Sequence, residues 1–127
     1  GNTLSITGDT TMTGALTAAS KSFDIPHPSK GGMRLRHGVL EGPEHGVYVR
    51  GIVNSNIILL PHYWTDLVHT DSITVQLTQI GDSGNASVVE VSTEKVVIKS
   101  DTGVINHYFF IQGERKDVSR FDVEYEG

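Results

Sequence analysis

The sequence predicts an all-β protein, and three observations carry that prediction. Runs of alternating apolar and polar residues recur along the chain, clearest over Ile73–Ile80, where the period of two fits a half-buried strand. Turn residues separate these runs at about ten-residue intervals, and the 14 glycines make up about 11% of 127 residues against a usual share near 7%. Only one stretch, His62–Val68, has helical spacing, and it is too short for more than two turns.

The first twenty residues stand apart. Gly1–Thr17 holds six Thr, three Gly and no aromatic residue, and its large apolar side chains, Leu4, Ile6, Met12 and Leu16, all fall on even positions. That is strand periodicity with a single apolar face. A ribbon so poor in large side chains cannot offset its own ordering entropy. Two readings compete: a linker, or a strand that buries its stripe only against copies of itself around a symmetry axis. The second is preferred. It makes residues 1–20 an intertwined β stalk, with Leu4, Ile6, Met12 and Leu16 as its axial packing.

Residues 21–127 read as a β-sandwich-like domain of short strands. Lys21–Gly32 contains Pro26, Pro28 and a Gly pair, an extended approach into a loop. Met33–Leu40 alternates as a strand, and Glu41–Gly46 turns around Gly42-Pro43. Val47–Val53 alternates again, and Ile57–Leu60 is a buried run ended by Pro61. Pro61 can open the helical piece at its first position, with Trp64, Leu67 and Val68 on one face. After Ile73–Ile80, the tight turn Asp82–Asn85 leads to strands expected over Ala86–Val91, Lys95–Lys99, Val104–Gln112 and Arg120–Tyr125.

Composition restricts the function. With no cysteine, disulfides, thiolate zinc sites and cysteine nucleophiles are all excluded. Ten basic against 15 acidic residues, a net charge of −5, argue against nucleic acid or an anionic membrane as the main partner. The longest apolar run, Ile57–Pro61, falls far short of a membrane-spanning helix. The chain starts at Gly1 rather than Met and reads as a piece of a longer protein.

Several motifs suggest chemistry and fail on inspection. Gly81-Asp82-Ser83-Gly84 mimics the nucleophile segment of trypsin-like proteases, with His69 and Asp71 upstream, but that double barrel needs about twice this length. A hairpin turn is the better reading. The histidines at 27, 37, 45, 62, 69 and 107 include no HxH or HExxH pair, so no metal is expected within one chain. Glu41 and Glu44 lie in sequence between Arg34 and Arg36 on one side and Arg50 on the other. They are expected to form structural ion pairs rather than an acid–base pair. Exposed aromatic residues at His62-Tyr63-Trp64 or Tyr108-Phe109-Phe110 would suit stacking on sugars, although an aromatic residue is more often a core anchor. Asn85-Ala86-Ser87 fits the glycosylation pattern, without anything to suggest secretion.

Two blocks carry a resemblance. Phe23–Pro28, Leu35-Arg36-His37 and Glu41–Gly51 form the first; Leu60–Val68 followed by Asp71–Thr78 forms the second. Together with the alternating strands that follow, to about residue 112, they resemble a segment of bacteriophage tail-fibre proteins, including those of T4-like and cyanobacterial myoviruses. The Gly/Thr-rich start is similar to fibre-shaft repeats. The resemblance implies a homotrimeric virion protein near the receptor-binding end of a tail fibre and supplies no catalytic residues; a non-enzymatic protein without cofactor is expected. Its implied partners are two identical chains and a bacterial surface receptor, glycan or outer-membrane protein, with neither nucleic acid binding nor membrane insertion. His62, Tyr63 and Trp64 are then the candidate receptor or inter-subunit contacts. A competing expectation is an assembly module that registers the trimer without touching a receptor.

Overall fold

A computed structural model describes all residues, 1–127. Eight strands run in the order β1 (Ser22–Pro26), β2 (Arg34–Gly38), β3 (Gly46–Val53), β4 (Ile57–Leu59), β5 (Thr74–Gln79), β6 (Ala86–Val91), β7 (Lys95–Ser100) and β8 (His107–Glu114). The single helix, α1, covers Trp64–Leu67 between β4 and β5, and a 3-10 turn follows at Thr70–Ser72. The protein is all-β, as its periodicity predicts.

The strands divide among three small antiparallel sheets: β1–β2, then β3–β8–β5, then β4–β7–β6. Alternation decides which side chains each sheet turns inward. Val47 and Val53 of β3, Ile111 of β8, Ile58 of β4, and Val96 and Ile98 of β7 are all buried. They join Leu35 of β2 and Leu60, Trp64, Leu67 and Val68 around α1 in one apolar cluster. Trp64, Leu67 and Val68 are completely buried, so the short helix plugs the space between sheets rather than decorating the surface. Gly113 makes this close approach possible. A Cβ there would collide with Cγ1 of Val68, while the Trp64 ring lies in ordinary contact at 3.5 Å.

A polar staple joins the β5–β6 turn to the approach to β8. The carbonyl of Ser83 accepts from the hydroxyls of Ser100 (2.7 Å) and Thr102 (2.5 Å), while its own hydroxyl donates to the carbonyl of Asn106 (2.8 Å). Buried His107 accepts at Nδ1 from the Asn106 N–H (3.1 Å) and donates from Nε2 to the Gly84 carbonyl (2.7 Å). Gly84 has φ of +87°, and a side chain there would strike Asp101 and Thr102. The Gly-Asp-Ser-Gly segment is thus a locked turn.

Three sequence expectations change. Ser22–Pro26, expected as a loop approach, is a strand, because its alternate residues Phe23 and Ile25 pack against the apolar cluster. Pro61 does not occupy the first helical position; its carbonyl accepts the Trp64 N–H at 2.9 Å, closing a turn that precedes α1. Arg120–Tyr125 forms no strand. Arg120 instead grips the Glu114 carboxylate through Nε (3.0 and 3.1 Å) and Nη2 (2.7 Å), and Phe121 meets the His45 ring edge-on at 5.0 Å.

Residues 1–20 form no strand or helix in the single chain, every one is exposed, and none makes a backbone hydrogen bond. Leu4, Ile6, Met12 and Leu16 are 85, 56, 58 and 61% exposed.

Candidate functional site

Two places gather functional-looking side chains. The first lies where the β1–β2 hairpin meets the entry to α1. Tyr63 sits at its centre, half-buried, with the His37 and His27 rings each meeting it edge-on at 5.7 Å and His62 at 5.5 Å. His27 stacks on His62 at 5.6 Å, and Phe23 stacks on His37 at 5.0 Å. The guanidinium of Arg115 lies 3.9 Å from the centre of the Phe23 ring while donating twice to Asp117, at 2.9 and 2.7 Å. His27 Nδ1 accepts the backbone N–H of Ser29 (3.2 Å) and of Lys30 (2.9 Å), which pins the loop between β1 and β2.

Two of these imidazoles, His37 and His27, have their charged form disfavoured. Burial lowers the pKa of His37, helped by the charge of Arg115. Burial lowers that of His27 as well, with His62 and Lys30 adding to the effect. Burial raises that of the Tyr63 hydroxyl, which lies 3.4 Å from His37 Nε2. Stacked rings knit the hairpin to the helix; no group of three His, Asp or Glu side chains converges with the geometry of a metal site.

The second place is the outward face of β3–β8–β5. The register sets its side chains in three cross-strand rows: Tyr48–Gln112–Thr74, Arg50–Phe110–Gln76 and Ile52–Tyr108–Thr78. Tyr48 and Phe110 stack with centroids 5.1 Å apart and planes at 14°. A groove of about 570 Å³ runs over Arg50, Ile52, Gln76, Thr78, Tyr108 and Phe110. Because β3 is an edge strand of its sheet, this face continues to a second groove of about 550 Å³, between Tyr48 and Arg50 on β3 and Arg36, Val39 and Leu40 beyond its free edge.

The candidate residues from the sequence fare unevenly. Trp64 is wholly enclosed and can contact neither receptor nor neighbour; its indole Nε1 has no acceptor, and packing alone holds it. Tyr63 and His62 do lie together, Tyr63 half-buried and His62 exposed. The expected ion pairs are differently partnered. Arg34 (2.6 Å) and Arg36 (3.2 Å) both pair with Asp24, across the register of β1 and β2, and together hold its carboxyl below the usual range. Glu41 pairs with Lys21, which lowers its pKa in the same way. Neither Glu44 nor Arg50 forms a salt bridge. Sequence proximity to the Glu41–Glu44 turn misled here, because cross-strand pairing places Asp24 closer to the arginines.

The outward sheet face was only half visible in the sequence. The Tyr108-Phe109-Phe110 run signalled aromatics, but which of them faces out depends on the strand's register. No protein-family model matches the chain, and neither a curated protein nor a solved structure shows detectable similarity to it.

Proposed function

We propose that the protein is a non-enzymatic structural fibre piece of the bacteriophage tail-fibre type, part of the virion. Residues 1–20 would be a β stalk and residues 21–127 a head, with three identical chains attaching the particle to a bacterial surface receptor. The carrying observation is the N-terminal segment: twenty exposed residues with four large apolar side chains on one alternation and no hydrogen bond to the rest of the chain. Such a stripe is buried by nothing in its own chain, and a second copy can supply the missing surface. Three ribbons around an axis cover it and pair its backbone, which also removes exposed strand edges.

The folded region supports the same reading. β3, eight residues long, has no partner on one edge, and an open edge of that length is normally covered or blunted. Large apolar residues remain exposed well beyond the stalk, among them Ile52, Leu59, Tyr108 and Tyr125. Attachment then needs no deep pocket. Three copies of a weak site on one rigid fibre bind a repetitive surface through avidity.

Sedimentation equilibrium of the purified chain tests this directly. The expected result is a trimer at micromolar concentration, and a folded monomer there removes the proposal. Adsorption to host cells that survives substitution of every exposed aromatic on the outward sheet face, in an intact trimer, would favour the assembly module without receptor contact.

A further inference from the structure

The chain has five arginines, and four of them are paired with carboxylates: Arg34 and Arg36 share Asp24, Arg115 pairs with Asp117, and Arg120 with Glu114. The fifth, Arg50, makes neither an ion pair nor a hydrogen bond, in a chain where acidic residues outnumber basic ones 15 to 10. It projects from the centre of β3 onto the outward sheet face, where it is the single charged side chain in the three cross-strand rows. Phe110 lies opposite it on β8, with Gln76 next in the row, and the exposed ring of Tyr108 occupies the adjoining row.

We infer that this face binds an acidic saccharide, a sugar ring bearing one carboxylate. The inference rests on the receptor-attachment reading above and names its ligand class and site. Each group has a task set by its chemistry. The Arg50 guanidinium is a planar fork that takes a carboxylate through two parallel hydrogen bonds. Tyr108 and Phe110 offer flat apolar surface to the C–H face of a pyranose ring, the use for which aromatics with a polar rim are suited. The amide of Gln76 and the hydroxyl of Thr78 both donate and accept, which matches sugar hydroxyls. The groove over them, about 570 Å³, falls within the range of roughly 300–1,000 Å³ typical of small-ligand sites.

Charge disfavours three other occupants. A contact with the same face of a second copy would bury a guanidinium against rows that hold no carboxylate. A neutral saccharide offers Arg50 hydroxyl acceptors but no charge to balance its own. One cation on a chain of net charge −5 cannot track a nucleic-acid backbone.

Backbone amide NMR of the full chain, titrated with glucuronate, galacturonate, N-acetylneuraminate and 3-deoxy-octulosonate, against glucose and galactose, decides the matter. Signals of Tyr48, Arg50, Tyr108 and Phe110 are expected to move with at least one acidic sugar and with neither neutral one. Arg50→Gln is expected to weaken that binding at least tenfold, and Tyr108→Ala to abolish it; both residues are exposed, and circular dichroism checks that each variant folds. Absence of shifts with all four acids, or binding retained in Arg50→Gln, overturns the assignment. Dissociation of the oligomer by Tyr108→Ala, with no sugar binding in the parent, overturns it in favour of a subunit interface. Sedimentation on the same samples separates the two proposals: a trimer that ignores the acids removes the ligand alone, whereas a monomer that binds them removes the fibre.

Discussion

Residues 1–20 and residues 22–115 share one alternating pattern and have opposite fates. Val47-Tyr48-Val49 and Leu4-Ser5-Ile6 both read as strands with a single apolar face. The first buries Val47 in the apolar cluster that also holds Ile111 and Trp64; the second buries nothing. Periodicity specifies which face a strand would hide, but it cannot supply the surface that hides it. In the folded region that surface comes from three sheets and a four-residue helix of the same chain. For the N-terminal segment nothing in the chain supplies it.

The contrast breaks most visibly at Trp64. If the single-chain fold depends on the cluster around α1, Trp64→Ala should cost about 3–5 kcal/mol, a large part of a small domain's total stability. Urea unfolding followed by circular dichroism would show the midpoint fall sharply or the native baseline vanish. The same substitution should leave residues 1–20 with the hydrogen-exchange behaviour they already have. A variant that keeps nearly full stability would mean that the cluster is not the centre of the fold.

What could be read from the sequence divides along the same line. Seven of the eight strands and the short helix were legible, because each pairs an internal period with a turn signal such as Gly42-Pro43 or Asp82–Asn85. β1 was missed because Pro26 and Pro28 obscured the Phe23/Ile25 alternation; Pro26 is tolerable as the last residue of an edge strand. The ion pairs could not be read, since Asp24 reaches Arg34 and Arg36 only through cross-strand register. Trp64 is legible as a core anchor on general grounds, and the expectation that it is a contact residue fails on its complete burial. Arg50 was visible as a charge, but its isolation depends on where every other carboxylate goes.

Acid should probe the hairpin–helix junction with a smaller effect. The fold depresses the pKa values of His27 and His37, so the unfolded chain takes up protons first as pH falls. Their contribution to stability is therefore complete above about 6.5, the ordinary histidine value, and declines as pH drops toward the depressed folded values. Arg115, Lys30 and His62 face these rings and sharpen the decline, since none offers a compensating negative charge. A second loss is expected at lower pH, below the ordinary glutamate range, as Glu114 is protonated and releases Arg120. Thermal melts from pH 8 to 4 should show the first slope, and His37→Gln should flatten it. A melting temperature constant from pH 7 to 5 would refute the buried-imidazole account. Residues 1–20 contain Asp9 as their one ionisable side chain and no histidine, so they should contribute nothing to that slope.

Removing residues 1–20 should have the smallest effect on the single chain and the most telling one on the assembly. No backbone hydrogen bond and no buried side chain is lost from the remainder. The dilute, monomeric limit of its stability should therefore stay within a few tenths of a kcal/mol, as for changes at exposed sites generally. At higher concentration the two proteins should diverge. If the parent chain associates through its stripe, mass action raises its melting temperature with concentration, whereas that of the truncated chain should stay flat. Parallel lines for the two would mean that the apolar stripe at Leu4, Ile6, Met12 and Leu16 takes no part in assembly. Residues 1–20 would then be a linker. Equal stability when dilute and unequal stability when concentrated is a pattern that a linker cannot produce, because a linker contributes nothing at either concentration.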